Sequence, residues 1–443
     1  TLYQLLTGTL PFHAEDKMGW VHCHMAKAPL DPCAVNPEIP KALAEILYKL
    51  LAKNAEDRYQ SALGLARDLE ACQKQWQDKG LIEAFTPGER DVSERFHIPQ
   101  KLYGREKEVA ALMDAFETVA QGHAQFVLVA GYSGVGKTSL VREVHKLIVQ
   151  KNSYYISGKF DQFQTDIPYS GLIQAFQELI RQLLAEPDDR LERWKAKIIE
   201  VLAPNAQVII ELIPELERII GQQAPVQVLN PAEEQYRFMF TFRNFIQIFA
   251  QKDHPLVIFL DDLQWADVPT LKLMENFMGA EDIQHLLLIG AYRDNEVKAH
   301  HPLMMTIDVL QKQHNASSKM VRQLFVDPLD PSSLNQITAD TLHCGLEHSQ
   351  PLVDIIFQRT AGNPFFVIEF LKFLYREKYL RFRHAKGIWE WEPEEIRKTG
   401  ISENVVELMI DRLRQLPADT QRSLQLASCI GNSFDLKTLS MID

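Results

Sequence analysis

Lys137, Thr138, Asp261, Asp262 and Arg293 are the side chains of this sequence whose types and settings fit one chemistry, the handling of a polyphosphate. Lys137 and Thr138 close the string GYSGVGKT, residues 131–138, a GxxxxGK[ST] pattern that directly follows the apolar run 126–130. A strand that delivers a glycine loop into a helix start aims backbone N–H groups and the positive helix end at one point, where phosphates bind. Gly131, Gly134 and Gly136 allow close backbone approach, and Ser133, Val135 and Ser139 complete the expected binding loop. Lys137 would reach the outer phosphates, and the Thr138 hydroxyl would be a ligand for Mg²⁺.

Such a loop needs a second element that holds the metal and positions water. The apolar run 256–260 ends in Asp261 and Asp262, which places Asp261 beside the Mg²⁺ shell and lets Asp262 accept a hydrogen bond from an attacking water. A further apolar run, 286–291, leads to Arg293. In an open α/β sheet ligands sit at the carboxyl ends of the strands, so Arg293 either reports the terminal phosphate or pairs with Asp294 or Glu296 on the surface. The same argument singles out Lys159 and Asp161 after the run 154–157, with a less diagnostic spacing. Trp265 and Asp267 follow the acidic pair, and Trp265 reads as a packing residue.

The elements that carry these residues are apolar throughout and alternate with helical patterns. Strands are expected at 126–130, 154–157, 256–260, 286–291 and 322–326, and a helix at 139–149, which together predict an α/β fold with a parallel sheet covered on both faces. A helical insertion fills about residues 165–250. Within it Phe238, Phe242, Phe245 and Phe249 step by four, three and four along one helix face, the spacing of a packed core rather than of a ligand-stacking surface. No arginine stands out as an arginine finger, with Arg237 and Arg243 on that helix left open for the role.

Residues 1–76 are helix-rich and hold no phosphate chemistry. Residues 77–100 are polar and without periodicity, a linker by composition. At 443 residues the chain predicts roughly two to four domains. No apolar run approaches the roughly 18 residues of a membrane span, and no signal peptide opens the chain, so a soluble, cytoplasmic protein is expected. Five scattered cysteines imply neither disulfides nor zinc, and the adjacent His22, Cys23 and His24 diverge in direction on a helix. The net charge of −12 argues against nucleic acid as a partner. Thr1 and an end at Asp443 inside a helical pattern lead us to expect neighbouring segments on both sides.

TLYQLLTGTLPF with LLAKNAEDRYQSALGLARDLE resembles the end of the C-terminal lobe of a Ser/Thr protein kinase. In that family the arginine corresponding to Arg58 pairs with an upstream glutamate, which this chain lacks along with the glycine-rich loop, HRD and DFG; the stretch therefore has no kinase activity of its own. LYGRE, GYSGVGKT, VIFLDDLQWAD, LLIGAYRDNE and AGNPFF, in that order over about 101–443, resemble the ATPase module of the signal-transduction ATPases with numerous domains, the STAND proteins. Joined to a kinase tail, the module resembles bacterial, especially cyanobacterial, multi-sensor Ser/Thr kinases, in which sensor and histidine-kinase domains follow.

The resemblance implies a P-loop NTPase core at 101–328 with strand order 5-1-4-3-2, a helical lid at 329–395 and the start of a winged-helix region at 396–443. It implies that Gly104 and Arg105 lie against the adenine and that Pro364 closes over the base, although Gly362-Asn363-Pro364 also reads as a helix-breaking turn. The winged-helix segment is apolar with few basic residues, which favours a packing role over DNA binding. The expected cofactors are ATP or ADP with Mg²⁺, and the absence of an NKxD string leans toward adenine. Together these imply a regulatory ATPase that turns over slowly, with nucleotide-dependent self-association allowed. The alternative is a scaffold holding ADP without turnover.

Overall fold

The computed structural model describes all of the chain except residues 15–19, 21, 22, 25, 26, 54–56, 90, 92–95, 150–152, 163–166, 314–320, 384–387, 399–409, 411, 412, 415, 431–435 and 443. The chain divides into two compact units: Thr1–Lys101 with Pro331–Gln358 and Ile368–Gly400, and Leu102–Asp330 with Arg359–Val367 and Ile401–Asp443.

The first unit opens with α1 (Leu2–Thr7), α2 (Pro32–Val35), α3 (Lys41–Leu50) and α4 (Ala62–Lys79). Helix α3 buries one apolar face, with Ile46 and Leu47 fully buried. Arg58 satisfies its guanidinium on main-chain oxygens, donating to Ala52 at 2.7 Å and Lys53 at 3.3 Å. Helix α4 runs past the expected linker start at 77 and stops where Gly80 turns left-handed (φ 65°). Described residues of the stretch beyond make specific contacts. Asp91 is buried and accepts from the Ser61 amide and hydroxyl at the α4 N-terminus, and the Gly88 amide donates to Asp68. Phe96 stacks on Tyr375 at 4.6 Å and meets the buried Trp389 edge-on at 5.8 Å. His22, of the His22-Cys23-His24 run, lies outside the described residues, and no metal-holding group of three or more His, Cys, Asp or Glu occurs among the described residues.

The second unit is built on a five-stranded parallel sheet of β1 (Gln125–Ala130), β2 (Tyr154–Lys159), β3 (Leu256–Asp261), β4 (Leu286–Tyr292) and β5 (Val321–Phe325), in the order β2-β3-β4-β1-β5. This is the expected order read from the other edge. Helices α5 (Glu106–Ala120) and α6 (Lys137–Val149) cover one face, while α7 (Ser170–Leu184), α8 (Asp188–Leu202), α9 (Ala206–Leu212), α10 (Glu217–Ile220) and α11 (Pro231–Phe249) form the insertion. Alternation along β1 divides the core: Val127 and Val129 pack with Leu112, Phe116 and Leu140, whereas Phe126 and Leu128 pack with Phe176, Phe242 and Phe245. The phenylalanine face of α11 is core as expected, with Phe242, Phe245 and Phe249 fully buried and Phe238 partly so.

Edge strand β2 is covered by a polar stripe of α7. Gln174 accepts from the Lys159 amide (2.8 Å), Glu178 from the Ser157 amide (2.8 Å), and Gln182 donates to the Tyr155 carbonyl (3.0 Å). Four helical residues rise about 6 Å and two strand residues about 6.6 Å, so the periods match and each of Tyr155, Ser157 and Lys159 has one outward main-chain group met by a side chain.

After β3 come α12 (Val268–Met278) and, beyond β4, α13 (Pro302–Gln313). Then follow α14 (Pro331–Leu342), α15 (Leu346–Thr360), α16 (Pro364–Arg376), an antiparallel hairpin of β6 (Arg381–Arg383) and β7 (Ile388–Glu390), α17 (Pro393–Lys398), α18 (Ala418–Ile430) and α19 (Leu436–Ile442). No helix among the described residues is long and apolar enough to cross a membrane.

Candidate functional site

Parallel pairing brings the carboxyl ends of β1, β2, β3 and β4 to one edge of the sheet, with Ala130 opposite Tyr292 and Lys159 opposite Asp261. The loop 131–136 leaves β1 there and enters α6 at Lys137. Gly134 is left-handed (φ 80°), and a Cβ on it would lie 2.8 Å from Asn363 Oδ1 and 2.9 Å from Phe365 Cβ, so glycine is required by both conformation and space.

Lys137 folds back over its own loop, Nζ donating to Gly131 O at 2.7 Å and Tyr132 O at 2.9 Å. Burial lowers its pKa against the pull of Asp261 and Asp262. Thr138 Oγ1 donates to Asp261 Oδ2 at 2.9 Å. Burial, then the neighbouring charge of Asp262, raises the Asp261 pKa, outweighing the Thr138 hydrogen bond and the charge of Lys159. A hydroxyl and an under-compensated carboxylate suit Mg²⁺, which takes one or two protein oxygens and the rest from phosphates and water. Thr138 and Asp261 are the residues that would hold it.

Asp262 is buried and left-handed (φ 57°, ψ 44°), a conformation an aspartate tolerates better than most residues. Its carboxylate is surrounded. Gln264 Nε2 donates to Oδ1 at 2.8 Å, Arg293 Nε lies 3.6 Å from Oδ1, and Lys159 Nζ lies 3.2 Å from Oδ2. Arg293 also holds Glu296 at 2.8 Å and lies 4.8 Å from the centre of the Trp265 ring. The surface pair expected for Arg293 thus forms with Glu296, and the same arginine also faces Asp262 at the strand ends. Asp161 follows β2, half-buried, whereas Asp267 caps α12 by accepting from the Thr270 amide (2.8 Å) and hydroxyl (2.6 Å).

Arg105 and Pro364 take positions that their sequence settings leave undefined. The Arg105 side chain is buried and its guanidinium donates to Val135 O in the loop (3.4 Å) and to Asp327 O past β5, while Gly104 before it is left-handed (φ 61°). Pro364 opens α16, where its missing N–H costs nothing. Its neighbours make the contacts: Asn363 Nδ2 donates to Ser133 O (2.9 Å) and the Phe365 amide to Gly134 O (3.2 Å). Arg237 and Arg243 are engaged within the insertion, the first donating to Gln227 O at 2.6 Å and the second 3.6 Å from Asp282.

The sequence reading missed Gln264 and Asn363. An amide shows its use only once its two partners are placed. A polar cleft of about 310 Å³, lined by Thr138, Arg142, Tyr155, Lys159 and Gln174 among others, opens beside Asp261.

Residues 101–289 match the family described as AAA ATPase domain, and over that stretch the chain carries such a domain. Among curated relatives, the hybrid signal transduction histidine kinase G of Dictyostelium discoideum is 32% identical over 525 aligned residues, taking in 100% of this chain and 15% of the relative. The serine/threonine-protein kinase Pkn1 of Myxococcus xanthus is 38% identical over 68 residues, 15% of this chain and 10% of the relative. The chain thus spans a small part of the length of either relative. Among solved structures, Cdc6p from Pyrobaculum aerophilum is 14% identical with a TM-score of 0.37, covering 64% of this chain and 65% of that one.

Proposed function

We propose that the chain is a regulatory ATPase module of the STAND type, which binds ATP with Mg²⁺, hydrolyses it slowly and signals by the difference between its ATP and ADP states. The observation that carries this reading is the 2.9 Å contact between Thr138 and Asp261 at the mouth of the glycine loop, which joins the two halves of a nucleotide–metal site from distant parts of the sequence. Lys137 would exchange the Gly131 and Tyr132 carbonyls for phosphate oxygens, and the positive helix start would complete the cradle. Mg²⁺, when bound, supplies neutralisation of phosphate charge. Asp262 would orient the attacking water, and Arg293 would sense the terminal phosphate. Gly104, Arg105 and Pro364 would border the base, with Asn363 holding that segment to the loop.

Loss of the terminal phosphate deletes contacts to Lys137 and Arg293, the differential interaction that a two-state switch requires. The histidine-kinase relative and the short serine/threonine-kinase match support a larger signalling polypeptide; the family resemblance of the sequence extends this reading to a cytoplasmic protein with a kinase tail before the module and sensor and histidine-kinase domains after it. ATP binding and turnover of the wild type, Lys137→Ala and Asp262→Asn test the reading. Lys137→Ala should lose most ATP affinity and Asp262→Asn most turnover at retained affinity; equal affinity of wild type and Lys137→Ala refutes the site.

One observation favours a scaffold that holds ADP without turnover: Lys159, Arg293 and Gln264 all occupy the carboxylate that hydrolysis needs. Denaturing the purified protein and identifying released nucleotide separates the two, since bound ADP with no turnover selects the scaffold.

A further inference from the structure

We infer that Gln264 is a positioning residue for ATP hydrolysis, the side chain that orients Asp262 by reference to the end of β4; the inference rests on the hydrolytic reading above. Gln264 is 6% exposed, and both ends of its amide are used. Nε2 donates to Asp262 Oδ1 at 2.8 Å, and Oε1 accepts from the main-chain N–H of Arg293 at 3.1 Å. The carboxylate can only accept and the main-chain N–H can only donate, so the amide has one satisfied orientation. It is a rigid strut between the acid that ends the β3 segment and the residue that follows β4.

The backbone is shaped for this strut. Asp262 turns left-handed and starts a single 3₁₀ turn, Leu263–Trp265, whose middle residue is Gln264. The turn sits directly on β4 because Gly290 has no side chain: a Cβ there would collide with Leu263 Cδ1. Leu263 is fully buried against that glycine, and Gln264 is thereby carried to the Arg293 amide.

The consequence for Asp262 is a division of labour between its oxygens. Oδ1 is fixed by Gln264, with Arg293 Nε at 3.6 Å behind it, whereas Oδ2 meets, among the described residues, the ammonium of Lys159 at 3.2 Å, a side chain that is 52% exposed. A carboxylate that orients water needs one oxygen held so that the other points constantly at the reacting atom, and a misplacement of about 1 Å costs roughly a hundredfold in rate. Gln264 touches no reacting atom; it acts through Asp262.

The test is a kinetic cycle in the full chain. Gln264→Met keeps the length and removes both hydrogen bonds. Gln264→Glu keeps the acceptor for Arg293 and sets an anion against Asp262. Both should lower kcat by about ten- to a hundredfold with the nucleotide Kd unchanged within about twofold. In an Asp262→Asn background, Gln264→Met should lower the residual rate no further, because the group it positions is gone. A purely structural role predicts lower thermal midpoints with kcat retained in the folded protein, and additive effects in the cycle. Equal kcat for wild type and Gln264→Glu, or additivity with Asp262→Asn, overturns the inference while leaving the ATPase reading intact. A wild type that binds ATP without cleaving it overturns both.

Discussion

Replacing Asn363 by serine removes one of its two kinds of hydrogen bond and leaves the other. Asn363 Oδ1 accepts from the Phe365 amide at 3.1 Å and the Phe366 amide at 3.5 Å, capping the first turn of α16, while Nδ2 donates to Ser133 O at 2.9 Å in the phosphate loop. Serine can still cap but cannot reach Ser133. The lost bond is solvent-accessible and contributes about 0.5–1 kcal/mol. Alanine also removes the cap, about another 1 kcal/mol, and loosens the Phe365 amide that donates to Gly134 O. If the segment must leave the loop before nucleotide does, these losses act on the dissociation rate. At about 1.4 kcal/mol per factor of ten, Asn363→Ser should release ADP about two- to fivefold faster and Asn363→Ala about ten- to thirtyfold faster. Chasing a fluorescent ADP analogue with unlabelled ADP measures both. Wild-type release from Asn363→Ala, or identical rates for the two variants, refutes the reasoning, because the structure assigns the cap and the loop contact to different atoms of one side chain.

Other parts of the site and core give further measurable consequences. The raised pKa of Asp261 means that the folded, metal-free protein binds a proton there more tightly than the unfolded chain; that share of stability is present at low pH and lost as pH rises through the raised value. Mg²⁺ with ADP, bound as proposed, would relieve the ionised carboxylate, so the rise in thermal midpoint on adding Mg²⁺ should be larger at about pH 8 than at about pH 5, and equal rises would contradict it. Arg293→Ala should reduce the preference for ATP over ADP by about tenfold, the scale of one charge-assisted hydrogen bond, in paired titrations with a non-hydrolysable ATP analogue and ADP. Phe245 is fully buried against Phe176, Phe242 and Phe249, so Phe245→Ala should cost about 3–5 kcal/mol in denaturant unfolding without changing the nucleotide affinity of the folded fraction.

What the sequence made legible divides by the range of the forces involved. The three inner strands β3, β4 and β1 are nearly uninterrupted apolar runs, the loop is a contiguous string, and the acid pair ends a buried strand; each is recorded locally. Gln264, Asn363 and Arg105 are not recorded locally, because the meaning of an amide or a guanidinium depends on whether a carbonyl, an amide or a carboxylate stands opposite once strands 2 to 4 and the loop are assembled. The residues 77–100 reveal the same limit. Polar composition makes them read as a tether, yet Asp91 is spent on capping α4 and Phe96 on an aromatic stack, two long-range uses of residues with no periodic neighbours.

The stripe Gln174, Glu178 and Gln182 shows a local pattern whose role depends on what stands opposite it. Polar residues four apart on a helix ordinarily mark a solvent-facing side. Here they serve as the hydrogen-bonding partner of a sheet edge, since a helix whose repeat matches the strand can occupy the place of a sixth strand without pairing as one. The last rung of that ladder is the amide of Lys159, whose side chain ends on Asp262. The packing of α7 on β2 therefore helps to set where the Lys159 backbone stands, so the helical insertion bears on the origin of one of the cations that face Asp262.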